Sequence, residues 1–341
     1  MCAEENVKKI KEQLGDISNL KGGFSCQGMW KVKNRMFPKS RDPPMGKWDA
    51  SGNIVTAPNA LKKLYLDTYV HRLRHRPIKT GLESLKSLKE DLWARRYQLL
   101  KENKTDGWKT SEIIKVLSSL KNNKARDPMG LINELFKKGV AGPDLVNAVK
   151  LLMNRLKEEK AVGVPLLYQA NISTIYKNKG SRLDLENDRG IFNLGVFRYI
   201  LEKLIYEDKY QYIDQGMSDS NVGGRKGRNI RNHLFIVYGV INNVINGGAD
   251  PVDIAVYDLK QCFDAMWLTQ AMNDLYEVVE EKERDDKIAM LYEINRENKV
   301  AVKIPSVGLT ERKDINNVIL QGSLSGPCSV FGGGRQGWQD Q

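Results

Sequence analysis

Asp258 follows four apolar residues, Ile254-Ala255-Val256-Tyr257, and precedes Phe263 and Asp264 by five and six places. A β-branched apolar run of that length reads as a buried strand, and the longer amphipathic stretch beyond it as a helix. Asp258 is therefore expected at a strand's C-terminal end, where a carboxylate raised on a rigid edge can hold a metal or face a phosphate. The spacing from Asp258 to Gln261 equally fits a helix-capping box. On these residues alone both readings stand.

The elements that would position Asp258 are spread along the chain. Val7, Ile10, Leu14 and Ile17 have helical spacing, ended by Gly22-Gly23, and Asp49 to Asn53 has hairpin-turn chemistry. Amphipathic helices are expected over Ala60 to Arg74, Leu82 to Leu100, Thr110 to Leu120, Leu131 to Lys138 and Asp144 to Glu159, with a β-rich stretch over Asn171 to Tyr176. Val196, Ile200 and Leu204, with Phe197, Leu201 and Ile205, form an i, i+4 stripe that predicts a packed helix over 194–213. Trp48, Trp93 and Trp108 are expected in cores, base stacking being the other use of such rings. Asp285-Asp286, within EEKERDDKIAM, reads as a solvated helix face.

Charge is unevenly placed. Residues 1–130 hold 27 Lys and Arg against 14 Asp and Glu, whereas 131–341 hold 27 against 28, so the whole excess of +12 originates in the N-terminal part. A basic segment joined to a neutral one favours a phosphate-backbone partner bound through counterion release, with a solvated Lys-rich surface as the other reading. The four cysteines make no CxxC pair, and His71 with His75 lies among Arg72, Arg74 and Arg76, which oppose a metal cation. No apolar run has membrane-span length and the N-terminus lacks a signal-peptide core, so a soluble, intracellular protein without membrane contact is expected.

Six stretches occur in a consistent order: KNNKARDPMG (Lys121 to Gly130), VPLLYQANISTIYKNKG (Val164 to Gly180), LENDRGI (Leu185 to Ile191), VGGRKGR (Val222 to Arg228), YDLKQCFD (Tyr257 to Asp264) and LQGSLSGP (Leu320 to Pro327). In that order they resemble the reverse transcriptases of LINE-type (non-LTR) retrotransposons, over residues 30 to 331. The resemblance implies an α+β fold of right-hand polymerase architecture. It would have a basic N-terminal helix and linker over 1–45, a mostly helical basic extension over 46–160, and polymerase fingers with an incomplete palm over 161–341. Its implied partners are an RNA template, a DNA primer and a deoxynucleoside triphosphate (dNTP).

Nucleotidyl transfer is governed by positioning and charge neutralisation, and Mg²⁺ prefers hard oxygen ligands. By resemblance, Asp258 is the first metal-binding aspartate and the Leu259 carbonyl a second Mg²⁺ ligand. Phe263 matches the bulky residue beneath the incoming sugar, with core packing as its plain alternative. Gln321 and Gly322 match the loop under the nascent base pair. Lys177, Lys179 and Arg189 fall in a fingers-like hairpin that grips the triphosphate, and Arg225, Lys226, Arg228 and Arg231 would follow the template backbone or form a solvated loop.

The chain departs from the family pattern in places. Gly190 stands where Pro is usual, Gly224 where an aromatic is usual, and the Asp expected before Gly130 is absent, changes expected to loosen loops. The aromatic-x-Asp-Asp turn that completes the two-metal site does not occur after Gln321. The expectation is a reverse transcriptase fragment without polymerisation on its own, the alternative being a catalytically silent RNA- or DNA-binding remnant.

Overall fold

The chain divides between Met45 and Gly46 into two units, and the computed structural model describes parts of the second: residues 46–74, 83–137, 140–159, 164–223, 225–248, 250–257, 267–316, 318–320 and 323. The N-terminal helix expected over residues 3–20 lies outside them. The architecture is mixed α+β. A small hairpin, β1 (Lys47–Trp48) with β2 (Ile54–Val55), precedes helices α1 (Pro58–Arg74), α2 (Glu83–Glu102), α3 (Thr110–Ser118) and α4 (Pro143–Glu158). A single turn α5 (Pro165–Tyr168) leads into β3 (Gln169–Tyr176) and β4 (Asp188–Leu194). Then come α6 (Val196–Gly216), α7 (Ile230–Ile245), α8 (Leu268–Val278), α9 (Asp286–Arg296), β5 (Glu297–Ile304), β6 (Gly308–Leu309) and β7 (Lys313–Asn316).

The larger sheet runs β4-β3-β5, with β6 and β7 both pairing with β5. Strands β3 and β4 form an antiparallel hairpin with Ile172 opposite Phe192, while β3 and β5 are parallel with Ile172 opposite Val302. A parallel partner needs a long crossover, and among its described residues here are the helices α6 to α9. Strand β5 alternates: Val300, Val302 and Ile304 are buried, Lys299 and Lys303 exposed. The buried face packs under α1, whose Leu61, Tyr65, Leu66, Tyr69 and Leu73 meet Ile172, Phe192, Val300, Val302 and Ile315. The opposite face holds the half-exposed Ile175 and Ile191.

A second core is helical and joins Trp93, Ile113, Met153, Ile200, Leu201, Leu268 and Ile288 from α2, α3, α4, α6, α8 and α9. Five of the six residues of the stripe predicted on α6 are buried here and Phe197 is half-buried; Trp93 and Trp108 are buried too, whereas Trp48, also expected in a core, is 40% exposed. Helix α6 also buries charge. Arg198 donates to Glu202 at 2.9 Å, to the Asn298 amide oxygen on β5 at 2.6 Å and to that of Asn295 on α9 at 2.8 Å. This network couples sheet to helices, and the Ser323 hydroxyl joins it by donating to Glu202 at 2.9 Å.

Three further expectations are corrected. The described part of Leu131 to Lys138, residues 131–137, holds a 3-10 turn, Asn133–Phe136, in place of the expected helix, because its polar side chains are drawn into the preceding loop: Asn133 donates to the Lys121 carbonyl and Glu134 accepts from the Asn123 amide. Residues 254–257 form no strand and are exposed, with Val256 at 88% and Tyr257 at 84%. Strand preference is realised only beside a neighbour, and this run has no paired strand. Asp285 and Asp286 do not face solvent: Asp285 caps α9 and pairs with Lys209 at 2.5 Å, and Asp286 pairs with Lys157 at 2.7 Å. Both lysines are buried, and a buried ammonium needs a carboxylate partner.

Candidate nucleic-acid interface

The β3–β4 hairpin is built from its turn outward. Asn178 and Gly180 adopt left-handed backbone at φ 57° and 69°, the Tyr176 hydroxyl donates to the Gly180 carbonyl, and the Asn187 side chain donates to Ser181 and Asp184. The base of the hairpin is fixed from below by a buried pair, Lys47 to Asp188 at 2.6 Å, and by Arg72, which donates to the carbonyls of Leu185 and Asp188. Both anchors come from the segment preceding the sheet, and neither was legible as a pair in the sequence.

Alternation then sorts the side chains. Ser173 and Ile175 on β3 pair with Ile191 and Arg189 on β4, so all four share the open face. Lys177, just past β3, is exposed and donates to the Glu186 carbonyl at 2.7 Å; Lys179 is exposed in the turn. Arg189 is exposed and meets no carboxylate among the described residues. The structure thus brings Lys177, Lys179 and Arg189 onto one hairpin. Gly190 is not slack: a Cβ there would lie 2.7 Å from the Tyr69 ring, so α1 fills the space that a side chain would take.

The KNNKARDPMG loop sits against this hairpin. The Asp127 carboxylate accepts from the Met129, Leu131 and Val196 amides, and the Asn193 side chain of β4 donates to the Arg126 carbonyl. Lys121, Lys124 and Arg126 are exposed on this loop. The spacing alone gave no indication that the loop and hairpin adjoin.

The second basic cluster behaves differently. Arg225 is buried, and its guanidinium donates to both Asp214 oxygens and to the carbonyls of Asp214, Ser218 and Asn221. The Arg225 guanidinium holds the Asp214 carboxyl below its ordinary value. Lys226 pairs with Glu207 at 3.0 Å and lies 4.1 Å from the Tyr210 ring centre; Arg228 pairs with Asp219 at 3.0 Å. Burial raises the Glu207 carboxyl, but Lys226 and Lys115 outweigh it and the group sits lower than usual. Arg231, in the first turn of α7, is exposed. Arg225 therefore fits neither alternative read from sequence, since it is an internal tie rather than a template contact or a solvated residue.

Asp258, Leu259, Phe263, Asp264, Gln321 and Gly322 lie outside the described residues. An aspartate carboxylate and a backbone carbonyl are hard oxygen donors of the kind Mg²⁺ takes, so the donor types of Asp258 and Leu259 suit it. Among the described residues no group of three His, Cys, Asp or Glu converges on a point. No described helix is long and apolar enough to cross a membrane.

The cations on the far side of the open face were missed in the sequence. Lys299 and Lys303 on β5 and Arg312 before β7 share it with Arg189. The one available signal was the alternation in Glu297 to Ile304, ENKVAVKI. No family model matches this chain, and no curated protein matches it.

Proposed function

We propose that this chain is part of an RNA-directed DNA polymerase of the LINE type, which holds an RNA template and a DNA primer and takes a dNTP through its basic hairpin. One observation carries the reading: Lys177, Lys179 and Arg189 stand exposed on a single rigid hairpin, beside a loop bearing Lys121, Lys124 and Arg126. Ammonium and guanidinium groups held on strands suit a triphosphate, which needs charge neutralised at fixed positions. The Asp258 carboxylate and Leu259 carbonyl would hold Mg²⁺, which supplies charge neutralisation at the phosphates. Arg231 belongs to the template contacts in this reading, whereas Lys226 and Arg228 are already paired with Glu207 and Asp219, and Phe263, Gln321 and Gly322 belong to the nucleotide pocket.

The test is titration of an RNA–DNA template–primer and a complementary dNTP, with Mg²⁺. Ternary-complex formation that needs the complementary dNTP and falls in Arg189→Gln and Asp258→Asn supports the reading. Binding that ignores the dNTP and both substitutions sinks it.

A second reading, binding without chemistry, is favoured by residues 250–257, which approach Asp258 exposed and without strand pairing. It predicts RNA binding that Asp258→Asn leaves untouched, together with no dNTP dependence.

A further inference from the structure

We propose that the open face of the sheet binds an unpaired polynucleotide strand, with phosphates on a rim of cations that includes Lys303 and Arg312 and bases laid over Ile175 and Ile191. The proposal rests on the nucleic-acid reading above and extends it from the hairpin to the far side of the sheet.

Arg312 is the cation most firmly placed on this face. Val302 bonds Thr310 through both its amide and the Thr310 amide, while Val300 is in register with Lys313, so Glu311 and Arg312 together stand opposite Ala301. This is a β-bulge, a device that re-aims a side chain. The small Ala301 leaves room for the Arg312 side chain to cross β5 and reach the Asn171 amide oxygen on β3, 3.2 Å from Nη2. Its other contacts are the carbonyls of Ala170 and Lys299, each at 3.4 Å. A half-buried guanidinium is thus held by neutral oxygens with no carboxylate among the described residues, and burial lowers its proton affinity. Such a group gains from an anion.

The neighbours complete a rim. Lys303 is exposed and meets no carboxylate among the described residues, like Arg189 across the sheet. Two strand spacings separate β4 from β5, about 10 Å, and Lys299 lies about 13 Å from Lys303 along β5. The acidic groups nearby already face cations: Asp314 lies 3.9 Å from Lys299, Glu297 3.2 Å from Arg296 and Glu311 3.1 Å from Lys313. Within the rim lie Ile175 at 53% and Ile191 at 42% exposure, with Ser173 and the directly paired Asn171 and Asn193. An apolar and amide centre inside a cationic rim suits a strand whose bases are free to lie on the sheet while its phosphates reach the edge. A duplex keeps its bases stacked inward and offers this centre nothing.

The measurement is fluorescence anisotropy of labelled 20-nucleotide oligo(U), oligo(dT) and the oligo(U)·oligo(A) duplex with the full chain, across a salt series. The unpaired strands should bind about tenfold tighter than the duplex. Arg312→Gln and Lys303→Glu should each weaken strand binding several-fold and lower the salt slope by about one. Ile191→Ser should weaken strand binding with the salt slope unchanged, a signature that general loss of charge does not produce. Should Arg312→Gln fail to fold, the exposed Lys303 and Ile191 keep the test intact. A duplex bound as tightly as the strand, or strand binding indifferent to Lys303→Glu and Ile191→Ser, overturns the proposal while leaving nucleic-acid binding elsewhere in place. Wild-type protein that binds none of the probes removes the underlying reading as well.

Discussion

The β3–β4 hairpin and the 217–231 loop look alike as sequence, since each is short, glycine-containing and basic, yet their cations have opposite fates. On the hairpin, alternation sends Arg189 to the open face, and Asp188, its neighbour, turns inward to a buried lysine. In the loop no strand enforces alternation, and Arg225 folds back onto Asp214 and three carbonyls. A cation is available to a ligand when the backbone points it outward and no carboxylate lies within reach. Counting basic residues does not reveal which case applies.

Substitutions at buried and exposed charges should separate the two regions. The largest effect is expected where charge is fully buried: Glu202→Ala strands Arg198 without its carboxylate and should cost about 3–5 kcal/mol in urea unfolding. Arg225→Ala should cost about 2 kcal/mol, in line with charge-assisted hydrogen bonds, and leave the salt slope of RNA binding as it was. A drop in that slope would return Arg225 to the nucleic-acid contacts.

The same pair sets a pH dependence. Asp214 has its carboxyl lowered by Arg225, so its contribution is fully present above the ordinary value of 3.8 and is lost as pH falls through the lower folded value. The gap in melting temperature between wild type and Arg225→Ala should be full at pH 7 and narrow in the acid range below pH 4. A gap constant with pH would mean the carbonyl contacts alone hold the loop.

Gly190→Ala should destabilise by about 1–3 kcal/mol through overpacking against Tyr69, and Tyr69→Phe should not relieve it, because the clash is with the ring. The smallest stability effect belongs to Arg189→Gln, within about 0.5 kcal/mol as for an exposed residue that meets no carboxylate among the described residues. Its RNA affinity should fall all the same, and unchanged affinity would mean that exposure on the hairpin does not make a cation available to RNA.

The helices were legible where a stripe and a stop signal coincide. The α6 stripe ends up in the helical core, and α1 to α4 begin and end within a few residues of their apolar patterns. The hairpin was legible from its β-rich first strand. What the sequence concealed is non-local. Strand β5 pairs with β3 across more than a hundred residues, and its ENKVAVKI alternation has no local partner to announce it. The same dependence on a partner explains the reverse error at Ile254 to Tyr257, a strong strand-former left exposed. The charged run around Asp285 looked solvated because the lysines that draw it inward come from α4 and α6, remote in sequence.

Helix α7 buries none of its sixteen residues, Phe235 being 79% exposed, and residues 250–257 after it are exposed as well. The elements on either side are held by other means: α8 and α9 pack on α2 and α6, and β5 is hydrogen-bonded to β3. A protease nick after α7 would therefore leave two fragments that stay docked, and the halves, expressed separately, should find each other and reconstitute the sheet. Within the described residues, α7 and 250–257 add nothing to the packing that holds the two halves together.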